Sequence, residues 1–347
     1  MDRRGGDGEK GGDGGGNKNG DRDGEAVFFT GERSVETRSV EVPEPEGNEV
    51  LVEASFSAVS TGTELLLYRD EMPDEDETEA GVPGVGSLAY PTRYGYSVVG
   101  EVVAAGEEAE ERVGERVHAL HPHQSRFVVS GEMARRVPED VKDEDAALLS
   151  SVETAVSFAM DGRPVVGENV AVFGQGVVGL LTTSVVSRFP VDVHVFEPRE
   201  ERRRLAKEMG ADVARTPSEA EDVAPDGGYD ISYEVSGSPD ALDDAVGVTG
   251  YDGRVVVGSW YGNRRVSLDL GGKFHKSDMT VVDSQVSRLA PRFRGRWTKE
   301  RRLGVAWEFV KDTVPSRLVT DSFGVNEAAR AYEATEDGAL CVVFDYS

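Results

Sequence analysis

Cysteine is almost absent from this chain of 347 residues: Cys341 stands alone. A single cysteine forms no intrachain disulfide and builds no cysteine-rich zinc lobe. Long apolar runs are missing as well, and no stretch approaches the ~20 apolar residues that span a bilayer. The Arg3-Arg4 pair is followed by Gly, Asp, Asn and Lys, not by the apolar region of an export signal. Positive charge is scarce: 38 Lys and Arg stand against 65 Asp and Glu, a formal charge of −27, and most of the cations are arginine. That balance argues against nucleic acid and anionic membranes as partners. It suits a salty cytoplasm, where molar salt screens charges within about 3 Å. A cytoplasmic protein acting on a small molecule is the expectation.

What the chain does contain is organised unevenly. Residues 1–25 are Gly, Asp, Lys, Arg and Asn with almost nothing apolar, too little to offset ordering entropy, and read as a disordered tail. From there to about Val137 come short strands: Val40–Pro43, Glu49–Ser57, Ser97–Ala104 and Glu115–Leu120. They are punctuated by Gly and Pro, including Gly81, Pro83, Gly84, Gly86 and Gly95, as in a mostly β, barrel-like unit. Asp143–Met160 has helical composition. Residues 160–290 then alternate strand and helix as a doubly wound sheet does. Helices over Lys299–Lys311 and Asn326–Ala334 and a strand over Cys341–Phe344 complete the chain.

The densest signal is Gly174-Gln175-Gly176-Val177-Val178-Gly179. It follows the apolar run Asn169–Phe173, of the kind a buried parallel strand makes, and leads into the apolar helix start Leu180–Val186. The second strand, Val191–Phe196, ends on Glu197, 18 positions after Gly179. Strand, glycine turn, helix, strand and acid form the dinucleotide-binding fingerprint in its full context. The first glycine makes the tight turn, the second admits the pyrophosphate, and the third lets helix pack on strand. The helix N-terminus offers unpaired N–H groups to the phosphates. Glu197 would accept from the adenosine ribose hydroxyls, which favours NAD; Arg199, with Arg202 and Arg203, keeps NADP open. Ser236 and Gly237, Gly258 and Ser259, and Ser284 and Gln285 end later strands, where the cofactor crevice of such sheets lies.

These motifs resemble those of the medium-chain dehydrogenase/reductase superfamily, the alcohol-dehydrogenase-like enzymes. Gly114-Glu115-Arg116-Val117, Val166-Gly167-Glu168-Asn169-Val170-Ala171-Val172, Leu205-Ala206 with Met209-Gly210-Ala211-Asp212, and Glu234-Val235-Ser236-Gly237-Ser238 carry the likeness, which covers the chain from Ala26 onward. The resemblance implies an α/β protein with a GroES-like β-barrel catalytic domain (26–158 and 291–347) and a doubly wound Rossmann NAD(P)-binding domain (159–290). It also implies a homodimer or homotetramer.

The chain departs from the family at the zinc ligands. The family's Cys-Gly-Thr/Ser-Asp stretch is Thr61-Gly62-Thr63-Glu64 here, its Gly-His-Glu is Gly95-Tyr96-Ser97, and its third ligand falls on Ser150 or Ser151. Hydroxyls are poor zinc ligands at neutral pH, so no metal is expected. The cluster His118, His121 and His123 keeps a rearranged metal site open as the alternative. Without zinc, hydrogen-bond donors must stabilise charge on the substrate oxygen. The catalytic candidates are Tyr96 as proton donor, Thr61 as a hydroxyl partner, Glu64, Glu153 as a base or a helix-start charge, and His121 and His123 as relays. The expected function is NAD(P)-dependent hydride transfer to or from an alcohol/carbonyl or an activated double bond. A zinc-dependent alcohol dehydrogenase and an inactive nucleotide-binding homologue are the alternatives. Trp260, Tyr261, Phe274, His275 and the arginines of Arg288–Trp297 fit either a large, flat or anionic substrate or a dimer surface.

Overall fold

The computed structural model describes residues 23–73 and 88–347; Gly81, Pro83, Gly84 and Gly86 fall outside the described residues. Two sheets organise the chain, and burial separates them as the sequence pattern does. Strands β1 (Asp23–Gly31) and β2 (Ser34–Glu41) form a hairpin. Asp23, Gly24 and Glu25, read from sequence as tail, are the first rungs of β1, because pairing with Ser39–Glu41 and with Ser125 satisfies their backbone.

A seven-stranded sheet follows, built on β3 (Glu49–Ala58), β4 (Val98–Ala105), β5 (Arg116–Ala119), β6 (Arg126–Ser130) and β7 (Arg135–Arg136). Its strands alternate buried and more exposed positions, the mark of antiparallel strands with one face on a core. Between β3 and β4 lies the short helix α1 (Glu64–Tyr68).

The helical stretch expected over Asp143–Met160 is two helices, α2 (Asp143–Ala146) and α3 (Leu149–Gly162). The chain leaves helical geometry at Leu148 (φ −96°, ψ 6°), and the Arg116 guanidinium holds Asp143 at the start of α2.

The second sheet is six parallel strands in the order β10-β9-β8-β11-β12-β13. They are β8 (Asn169–Phe173), β9 (Asp192–Phe196), β10 (Val213–Arg215), β11 (Tyr229–Glu234), β12 (Thr249–Val257) and β13 (Thr280–Asp283). Helices α4 (Val177–Val186), α5 (Glu200–Glu208) and α6 (Pro239–Val248) connect them. The chain runs outward from β8 to β10, then returns to add β11 beside β8, so the order reverses between those two strands. Ligands of doubly wound sheets sit at that reversal. In β8 every residue after Asn169 is buried, and α4 is buried nearly all round, so this helix lies inside the protein and not on its surface.

The chain then forms α7 (Lys299–Thr313), β14 (Asp321–Gly324), α8 (Ala328–Asp337) and β15 (Val342–Asp345). β15 runs antiparallel to β3, Val343 opposite Ala58, so the last strand enters the sheet that the first third of the chain began. Helix α7 is pinned to α3 by Arg302, only 1% exposed, whose guanidinium donates to Glu153, Ser157 and the carbonyls of Val286 and Arg288.

Candidate active site

At the end of β8 the backbone turns through Gly174, whose φ of +93° suits glycine alone. A Cβ there would lie 2.5 Å from the Ser236 backbone, so the turn and the end of β11 touch only because the side chain is missing. Gln175 is fully buried: its amide donates to the Gly174 carbonyl and accepts from Thr183, bracing the turn against α4. Gly176 is the residue before α4, and Gly179 packs on the Gly174 carbonyl. The first intrahelical bond from this turn comes from Leu180 to Gly176, so the N–H groups of Val177, Val178 and Gly179 have no backbone acceptor.

Two buried carboxylates flank the turn. Glu197, 5% exposed at the end of β9, accepts from the N–H groups of Gln175 (2.8 Å) and Arg199 (3.0 Å). Each carboxylate oxygen retains a free lone pair. The Arg199 guanidinium donates to the Gly338 carbonyl at the end of α8, joined there by Arg202. Glu234, fully buried at the end of β11, accepts from Ser236 N–H and Oγ and from the Tyr261 hydroxyl. Ser259 Oγ accepts from Gly237 N–H, linking the ends of β11 and β12 just past Gly258. Gln285 is exposed beyond β13, whereas Ser284 donates to Asp161, away from this constellation.

The barrel sheet assembles a different kind of site. The half-buried Tyr96 donates its hydroxyl to Ser60 Oγ, and Ser60 N–H donates to Glu64 Oε1 (2.8 Å). The Glu64 carboxylate, completely buried, also accepts from the Tyr332 hydroxyl of α8 and from His123 Nε2 (3.0 Å). His123 Nδ1 meets Ser57 Oγ at 2.7 Å, and Ser57 meets the Tyr346 hydroxyl at 2.8 Å. Gly95 (φ +117°) makes room: a Cβ there would stand 2.8 Å from the His123 ring. Burial is the main cause that raises the Tyr96 hydroxyl above its usual pKa; the Ser60 and Thr63 hydroxyls pull the other way, and the Glu64 charge adds to the rise. Thr61 is half-buried in the turn before α1.

The three clustered histidines have separate partners. His118, 1% exposed, places Nε2 3.0 Å from Ser97 Oγ and 3.4 Å from Ser150 Oγ. Ser97 spends its proton on the Ala147 carbonyl, so Nε2 carries the hydrogen and Nδ1 is left buried without a partner. Burial, then the Arg135 charge, drops this imidazole to about 3, so it is neutral at ordinary pH. His121 stacks on Phe127 (4.1 Å between centroids), its Nδ1 lies 2.9 Å from the Pro122 carbonyl, and burial lowers it to about 4. Among the described residues, no group of three or more His, Cys, Asp or Glu is arranged to hold a metal.

Several sequence candidates are thus committed elsewhere. Glu153 is ion-paired with Arg302 at 3.0 Å. His123 is fully buried inside the network, between Glu64 and Ser57. Sequence reading missed Ser57, Ser60, Tyr332, Tyr346 and Arg302. Only Ser60, adjacent to Thr61, stood near a recognisable motif.

The sequence model of the zinc-binding dehydrogenase family matches residues 177–299. The 2-desacetyl-2-hydroxyethyl bacteriochlorophyllide A dehydrogenase of Cereibacter sphaeroides is 30% identical over 336 residues, covering 91% of this chain and 96% of that protein. This chain belongs to the medium-chain dehydrogenase/reductase superfamily. The 2R,3R-butanediol dehydrogenase of Bacillus subtilis superposes on this dehydrogenase with a TM-score of 0.76 at 20% identity, covering 93% of this chain and all of that one. An alcohol dehydrogenase of Escherichia coli CFT073, solved with NADH, gives 0.74 at 20% identity over 94% of this chain and all of that one. This medium-chain dehydrogenase is an NAD(P)-dependent oxidoreductase. Its glycine turn fits that cofactor: free N–H groups point out of the α4 N-terminus, Gly176 faces open space, and Glu197 closes the neighbouring strand. No helix among the described residues is long and apolar enough to cross a membrane.

Proposed function

We propose that this dehydrogenase interconverts an alcohol and a carbonyl with NAD, using Tyr96 in place of a metal. The observation that carries the reading is the Tyr96–Ser60 hydrogen bond at the position where the family places a zinc histidine. Thr61, Tyr96 and Ser150 present hydroxyls where zinc asks for thiolate, imidazole or carboxylate, so the donor set does not fit a catalytic zinc. The hydroxyethyl group in the name of the Cereibacter relative favours an alcohol/carbonyl over a double bond.

When bound, the cofactor would supply a hydride as NADH in the reducing direction and accept one as NAD⁺ in the oxidising direction. Val177, Val178 and Gly179 N–H would hold the pyrophosphate, and Glu197 the ribose hydroxyls. Arg199, spent on Gly338, is poorly available to a 2′-phosphate, which supports NAD over NADP. In reduction Tyr96 Oη gives its proton to the substrate oxygen as the carbonyl carbon receives hydride. Ser60, the acceptor from Tyr96 at rest, then donates to the phenolate that forms. Glu64 fixes Ser60 through its backbone N–H, and Tyr332 and His123 fix Glu64. This reading takes 26–158 with 291–347 as the catalytic unit and 159–290 as the cofactor unit. It places the enzyme in a salt-rich cytoplasm, which its charge suits.

The test is Tyr96→Phe in the full chain. Removal of a positioned acid should lower kcat about 10²–10⁴-fold with NADH affinity, read by fluorescence, unchanged. Because the Tyr96 pKa is raised, the donor form persists through neutral pH; the reduction rate should hold there and fall on the alkaline side. Full activity in Tyr96→Phe overturns the assignment, and stoichiometric zinc surviving dialysis overturns the metal-free chemistry.

A further inference from the structure

The segment from Arg288 to Arg302 holds seven basic residues and one acid, Glu300, in a chain whose net charge is −27. Six of the seven, Arg288, Arg292, Arg294, Arg296, Lys299 and Arg301, are exposed. Arg292 pairs with Asp161, but among the described residues no carboxylate lies within 4 Å of the other five. An acid-rich chain has carboxylates to spare for pairing, yet these five cations stand apart from them. Three of the six exposed cations, Arg292, Arg294 and Arg301, are also tied down. The Arg301 guanidinium stacks 4.1 Å over the Trp297 ring while donating to the Arg296 carbonyl. Arg292 lies 5.1 Å over Phe293, and Arg294 donates to the Leu289 carbonyl. Stacked, partly tied guanidiniums lose less freedom on capturing an oxyanion than loose side chains do.

The segment's position gives this charge a use. It follows the C-terminal end of β13, where doubly wound sheets bind ligands, while Arg292 itself turns back to Asp161, beside Arg254 of β12 and Thr280 at the start of β13. Buried Arg302 clamps it by donating to the Val286 and Arg288 carbonyls and to Glu153 of α3. One turn earlier on α3, Ser150 Oγ donates to the Tyr96 carbonyl. The basic segment therefore rests on the same helix that touches the proposed proton donor.

We propose that this segment binds an anionic group, carboxylate or phosphate, carried by the substrate at a distance from its reacting carbon, with Arg294 and Arg296 as the principal contacts. The proposal rests on the alcohol/carbonyl reading above and adds the substrate's charge to it. Against an overall negative field, a local cluster of cations is what draws an anionic substrate to the crevice and orients it there.

The test compares the full-length enzyme with Arg294→Gln/Arg296→Gln, two exposed positions whose side chains carry no buried contact. Turnover is measured on secondary alcohols in matched sets: one bearing a carboxylate, one a phosphate, one the neutral methyl ester. The wild type should prefer an anionic member, and the variant should raise KM for it about 10-fold or more per lost charge-assisted contact. The ester should be unaffected, and added salt should weaken the wild type's preference. Whichever of the two anionic arms responds identifies the group. In parallel, equilibrium dialysis of inorganic pyrophosphate against the NADH-loaded proteins reads anion capture without turnover. Anion binding lost in the variant, with no turnover in any arm of either protein, sinks the alcohol/carbonyl reading and leaves the anion site standing. Turnover and pyrophosphate binding equal in the two proteins sink the anion site and leave the reaction standing. Loss of self-association in the variant without any anion effect also overturns it, assigning the patch to an interface between copies of the chain.

Discussion

The cofactor turn and the barrel network do comparable jobs with opposite materials. The turn at Gly174–Gly179 is made of backbone: N–H groups, a positive φ and the absence of a Cβ, all within one strand-turn-helix unit. The network around Glu64 is made of side chains, drawn from β3, the turn before α1, the His121–Gln124 loop, α8 and the chain's final residues. Backbone recognition is local and insensitive to distant change. A side-chain network depends on every element that contributes a partner, and it fails as a unit.

That contrast can be broken experimentally. Glu64→Ala has the largest expected effect, since it strands the Tyr332 hydroxyl, the His123 ring and Ser60 N–H inside the protein. Each buried donor left without an acceptor costs about 1–3 kcal/mol, visible in denaturant unfolding. Glu64→Gln, which keeps an acceptor, should cost clearly less; equal losses would show that packing alone matters there. Gly174→Ala comes next. Strain at a positive φ costs about 1–3 kcal/mol, and the shifted turn should weaken NADH binding about 10-fold or more while the barrel hydroxyls keep their chemistry. A variant that binds NADH normally but loses kcat would reverse the roles assigned to the two regions. Ser60→Ala is the mildest, about 10-fold in kcat at most. Because the Ser60 hydrogen bond lowers the Tyr96 pKa, its loss should move the alkaline limb of the reduction profile to higher pH; an unmoved limb would detach Ser60 from Tyr96.

The same contrast explains what could be read in the sequence. Asn169–Phe173, the glycine turn and Val191–Glu197 were legible because their signals, apolar runs and glycine spacing, lie within thirty residues. The hydroxyls at Thr61, Tyr96 and Ser150 stood out only against a family pattern. Tyr332 and Tyr346 gave no signal at all, since nothing local marks a tyrosine whose partner lies more than 260 positions away. The ion pair of Glu153 depends on Arg302, 149 positions further on. The break between α2 and α3 was hidden because Ala147-Leu148 favours helix and only the tertiary setting interrupts it. The strand character of Asp23–Glu25 was masked by polar composition and comes from pairing with β2.

The pairing of β15 with β3 has a consequence for how the molecule comes into being. Ala58 ends β3 and Val342 opens β15, 284 positions later in the chain (342 − 58). On the ribosome, an edge of β3 emerges early and stays without this neighbour until β15 follows. The parallel sheet, contiguous from β8 to β13, is free to fold in the interval. The sheet that β3 begins is completed only by β15. Tyr346, arriving with β15, sets a hydrogen bond to Ser57, so the side-chain network around Glu64 closes only after β15 has met β3.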